Sequence, residues 1–252
     1  SYDNIDNNTV PTNGSGQAST TITSTKAGNR HLSAYVKDGN NNNIWLQSNP
    51  SFNFYPDDVT SISLSTPSEQ YAAGTSLKLT ALLLDRFSNI ATNSNDTIAI
   101  SSTDQKATIP NPYKCTNKDA GSHEFNVILR TSGENTLTVK DQNTNANASM
   151  SLNILPSDLS TENSTLTADK KQYILGKEKS KITVSLLDQY GNGIEEKTVK
   201  LKFDSKMGSI DKNQIATNNS GQATFLFTGN TLGDVEFTAV DVTDNITITE
   251  KI

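Results

Sequence analysis

Thr217–Asp241 reads TNNSGQATFLFTGNTLGDVEFTAVD, and the chain contains this pattern three times. Thr12–Asp38 reads TNGSGQASTTITSTKAGNRHLSAYVKD and Thr116–Asp141 reads TNKDAGSHEFNVILRTSGENTLTVKD. Each copy runs through a polar turn, an alternating stretch, a turn containing Gly, a second alternating stretch and a closing Asp. In the third copy Ala223, Phe225 and Phe227 share one parity, as do Val235, Phe237 and Ala239. A period of two sends one set of side chains to a core and the other to water, so each copy predicts a pair of strands. Phe125, Val127 and Leu129 with Leu137 and Val139 repeat the pattern, and Leu32, Ala34 and Val36 repeat it more weakly.

Working outward, a second element recurs with the same period: LLLDRFSN at Leu82–Asn89 and LLDQYGN at Leu186–Asn192. Each reads as a strand running into a turn. Prolines 56 and 156 mark equivalent boundaries, 100 residues apart. A repeat of this length divides the 252 residues into three parts. Residues 58–156 and 157–252 are complete modules, and 1–57 is the C-terminal part of a truncated one. About seven short strands per module, with turn residues between them, predict an all-β chain of tandem immunoglobulin-like β-sandwiches. In the truncated part, Ile22, Leu32, Ala34, Val36, Phe52 and Phe54 have no opposite sheet to cover them. That part is expected to be ordered only where further strands complete it, supplied by another polypeptide or by exchange between copies.

The net charge of −6 argues against a nucleic-acid or anionic-membrane partner. No apolar run is long enough to span a bilayer, so no direct membrane insertion is expected. The opening SYDNIDNN is polar and lacks a signal-peptide pattern. The chain is therefore expected to be cut from a longer exported polypeptide, with its flanking domains as first partners. A single cysteine, Cys115, excludes an internal disulfide framework. Its position between Tyr113 and Phe125 predicts a buried thiol.

Candidate sites are few. His31 and His123 are the only histidines, and they lie too far apart to read as a triad or metal pair. No catalytic residues and no enzyme activity are expected. Asp57, Asp58 and Asp158 stand at the boundaries, where carboxylates can hold calcium; no other cofactor is suggested, and Asp also favours turns for its own reasons. Trp45, in NNNNIWLQSN, is the one ligand candidate: an exposed indole stacks on sugars, although a boundary aromatic more often packs.

The third module, through LLDQYGNGIEEKTVKLKF, TNNSGQATFLF and GDVEFTAV, resembles the bacterial immunoglobulin-like repeats of the invasin and intimin type. Gly191, Asn192, Gly221, Ala223, Gly233 and Ala239 carry the likeness, and Thr12, Gly16, Ala18, Gly28 and Ala34 extend it to the first. The middle module departs, with no Gly in its Asp85–Asn89 turn and a PYKCTNKDAGSHEF stretch similar to a variant in other repetitive bacterial surface proteins. The resemblance implies a non-catalytic stalk or adhesin segment, extracellular or on the bacterial cell surface, that spaces a terminal domain from the envelope. The alternatives are a glycan- or host-protein-binding module and an accessory module of a surface-anchored enzyme.

Overall fold

In the computed structural model, which describes residues 2–252, the alternating stretches become antiparallel strands around two hydrophobic cores. In the middle sandwich, strand Ser76–Leu84 buries Leu77, Leu79, Ala81 and Leu83 on one face. It pairs with Ser122–Ile128, Phe125 opposite Leu79, and on its other edge with Ser61–Ser65. The facing sheet orders Tyr113–Lys114, Thr97–Ser102, Gly133–Asp141, Asn147–Leu155 and Gln70–Ala72, the last pair parallel. Leu137, Val139 and Ile154 project from it into the same core. Each such aliphatic or aromatic side chain contributes about 1.5–3 kcal/mol on leaving water, enough to fix the register of every strand.

The C-terminal sandwich stacks two four-stranded sheets. One orders Thr165–Ala168, Ser180–Ser185, Gln222–Gly229 and Gly208–Ile210; the other orders Ile215–Ala216, Thr198–Lys202, Thr238–Asp241 and Ile246–Lys251. Ile182, Val184, Val199, Leu201 and Phe225 are buried between them. The expected strand over Val235–Ala239 begins only at Thr238, and a register shift follows between Thr238 and Val240. Phe237 still donates its N–H to Ile252 (2.8 Å) and still packs with Phe203 and Phe227. The intervening Thr231–Gly233 loop opens beside a cleft instead of closing a hairpin.

The repeated TNxSGQA stretch is a turn built by one side chain. Asn218 Oδ1 accepts the N–H groups of Ser220 and Gln222, and Asn13 Oδ1 accepts those of Ser15 and Gln17. Gly221 and Gly16 both sit at φ +74. A Cβ on Gly221 would stand 2.3 Å from the Leu186 carbonyl oxygen, so glycine is obligatory there. The middle sandwich solves the same turn differently. Asp119 accepts the Thr116 N–H and hydroxyl, and Ala120 takes the left-handed conformation at φ +48.

Residues 2–57 form three separate two-stranded ribbons: Asp3–Ile5 with Ile22–Ser24, Gly28–His31 with Ser51–Phe54, and Tyr35–Lys37 with Asn43–Trp45. Before Pro56 no described residue is buried. Leu32, Phe52 and Phe54 are half-covered while Ala34 and Val36 are exposed, because no second sheet faces them.

Candidate functional site

The two turns that recur as Asp-x-x-x-Asn lie where successive parts of the chain meet, and they do more than reverse the backbone. At the second junction Asp188 is fully buried. Its Oδ1 accepts the N–H groups of Tyr190 and Asn192, each at 2.8 Å. Its Oδ2 accepts the Asn192 side-chain amide at 2.8 Å and the Ser157 N–H at 2.9 Å. The last bond fixes the linker residue that follows Pro156.

With its own amide thus oriented, Asn192 reaches across to the hairpin turn of the middle sandwich. Its Nδ2 donates to the Arg130 carbonyl at 2.8 Å, and its Oδ1 accepts the Ser132 N–H at 3.0 Å. An amide that donates and accepts side by side matches a peptide edge as a neighbouring strand would. Tyr190, from the same turn, packs against the middle core. A Cβ on Gly74 would meet its hydroxyl oxygen at 2.0 Å. Lys106 Nζ donates to the Tyr190 carbonyl at 2.7 Å, and the Arg130 guanidinium lies 5.9 Å from the ring centre.

The first junction repeats this geometry. Asp85 Oδ1 accepts the N–H groups of Phe87 and Asn89, and Oδ2 accepts the Asn89 amide and the linker Asp57 N–H. Asn89 Nδ2 donates to the Thr25 carbonyl and Oδ1 accepts the Ala27 N–H, both at 3.0 Å. The residues held stand three and one positions before a glycine with positive φ in both cases, Gly28 and Gly133. Both carboxyls feel the same balance. Burial pushes Asp85 and Asp188 up, but the bonds from Asn89, Asp57 and Phe87, and from Asn192, Ser157 and Tyr190, outweigh it. Both groups are held below the usual carboxylate range.

The other candidates fall apart in space. Asp57, Asp58 and Asp158 are exposed, the first two at one junction and the third at the other. Asp57 pairs with Arg86 at 3.1 Å. Among the described residues, no group of three or more His, Cys, Asp or Glu could hold a metal ion. The closing aspartates act within their own turns, Asp38 Oδ1 accepting from Asn40 and Asn42, Asp141 Oδ1 from Asn143 and Asp241 Oδ1 from Thr243. His31 is exposed on the N-terminal ribbons, whereas His123 stacks on Tyr113 with ring centres 3.6 Å apart. Burial lowers the His123 pKa. Cys115 is buried in the middle core, and that burial pushes its thiol up to about 11. Trp45 is 59 % exposed and lies against Tyr35, directly across the ribbon, with ring centres 5.0 Å apart. Sequence reasoning read Asp85–Asn89 and Asp188–Asn192 as turns and missed the clamp. The available signal was an Asp and an Asn kept at one spacing beside each boundary.

Sandwiches in series, joined by side-chain-to-backbone clamps, define the chain as a tandem array of immunoglobulin-like domains. Residues 156–251 match the bacterial Ig-like domain (group 1) family, so the C-terminal sandwich is a domain of that family. Many solved structures share the fold, among them the following three. InvD of Yersinia pseudotuberculosis is 15 % identical, with 99 % of this chain and 85 % of that one covered at a TM-score of 0.54. The Escherichia coli adhesin FdeC is 17 % identical, with 100 % and 84 % covered at 0.52. Invasin, a bacterial integrin-binding protein, is 18 % identical; the match covers 96 % of this chain but about half of that one (48 %), at 0.52. No curated protein sequence matches the chain significantly.

Proposed function

We propose that this chain is a non-catalytic stalk segment of a bacterial surface adhesin, built from modules 58–156 and 157–252 and the partial module 1–57. In this reading it holds a terminal functional domain away from the cell envelope. The observation that carries it is the duplicated clamp: a spacer needs stiff joints, and both joints are fixed by the same six hydrogen bonds. The likeness to the adhesin FdeC and to the integrin-binding protein invasin supports the same assignment. Spin labels on Ser63→Cys and Lys200→Cys test it. A narrow distance distribution that broadens on Asn192→Ala is expected; a distribution already broad in the parent would overturn the stalk.

A second reading, recognition of a glycan or host protein, is favoured by the exposed Tyr35–Trp45 pair with Ile44 and Leu46 beside it. Quenching or a blue shift of Trp45 fluorescence on titration with a glycan or integrin ectodomain would support it. Unchanged emission would remove it.

A further inference from the structure

The hairpin turn held by each clamp has a third copy at the far end of the C-terminal sandwich. Gly233, at φ +140, stands where Gly28 and Gly133 stand, so Asn230 and Leu232 correspond to Thr25 and Ala27 and to Arg130 and Ser132. The Asn230 carbonyl and Leu232 N–H have no clamp partner among the described residues, and Leu232 is 81 % exposed. The rest of the seat is repeated too. QYAAG at 70–74 becomes QYILG at 172–176. Gly74 lies under the Tyr190 ring, whereas a Cβ on Gly176 would meet nothing within 4 Å. Lys106 follows an Asp104 turn and holds the Tyr190 carbonyl. Lys206 follows the matching Asp204 turn and is exposed. Beside these segments lies an open cleft of about 870 Å³ lined by Ile174, Leu175, Met207, Phe227 and Leu232.

We infer that this end is a preformed acceptor seat for an immunoglobulin-like module carrying an unengaged Asp-x-aromatic-x-Asn turn. The incoming Asn would bond the Asn230 carbonyl and Leu232 N–H. The aromatic ring would enter the cleft over Gly176, and Lys206 would hold the ring residue's carbonyl. The inference rests on the stalk reading and extends it, because an intact second copy of this chain offers only engaged turns at Asp85–Asn89 and Asp188–Asn192.

The test extends the full chain at Ile252 with a second copy of residues 153–252 and follows amide hydrogen exchange. A clamped N–H exchanges only when the joint opens. Leu232 exchange is expected to slow by about tenfold or more in the extended chain, in line with a clamp stabilised by 1.4 kcal/mol or more. Asn192→Ala or Asn192→Asp in the appended copy alone should restore fast exchange at Leu232 and leave Ser132 unaffected. Lys206→Ala should restore it in part. Leu232 exchanging equally fast in both chains while Ser132 stays protected would overturn the seat. An unprotected Ser132 in the parent chain would instead overturn the stalk reading on which it rests.

Discussion

Asp188 is a buried carboxylate held by hydrogen bonds from Tyr190, Asn192 and Ser157, and this makes the joint sensitive to acid. Its folded pKa is depressed, as is that of Asp85, so their contribution to stability is complete above the unfolded value of about 3.9. It is lost as pH falls through the lower folded value. Interlabel distances across the second junction should therefore stay narrow down to about pH 4 and broaden below it. A width independent of pH from 7 to 2.5 would contradict this account. Ser88 makes a second residue-scale case. It holds φ +63 where Gly191 holds +83 in the sister turn. Left-handed backbone costs a non-Gly residue about 1–2 kcal/mol, so Ser88→Gly should stabilise the middle sandwich by about 1 kcal/mol in urea. Cys115 belongs here as well: a buried thiol raised to about 11 should react slowly with a disulfide reagent until denaturant is added.

At the scale of the element, the Asp-x-x-x-Asn turn couples three parts: its own strand, the linker and the preceding hairpin. Asn192→Ala strands the Ser132 N–H and the Arg130 carbonyl and should cost about 1–3 kcal/mol in junction stability. Asp188→Ala should cost more, since it also releases the linker and the orientation of Asn192. Thermal unfolding of the two variants checks the order. The strands around this turn were legible in the sequence because burial follows parity: Leu77, Leu79, Ala81 and Leu83, like Ile182, Val184 and Leu186, are all buried as alternation requires. The far side of the clamp was not legible, because Asn192 bonds Arg130 and Ser132 through their backbone groups, which leave no residue type to recognise. The late start of strand Thr238–Asp241 was hidden too, since Val235 and Phe237 keep their alternation in a stretch without ladder geometry.

At the scale of the molecule, two clamped joints predict an extended rod. A compact single domain of this length would have a radius of gyration of about 18 Å, and small-angle scattering should give a clearly larger value. A value at that figure would mean that the parts fold back on one another. The way the joint is made also bears on how such a chain changes over generations. One side of each clamp touches only main chain, so a mutation in the hairpin turn rarely alters what the neighbouring Asn meets. Domains can then be duplicated, lost or exchanged with these Asn-to-backbone bonds intact, and the hairpin side chains beside them can drift apart without altering what the Asn meets. If the chain is the stalk proposed above, its length can change by whole domains without redesign of this contact.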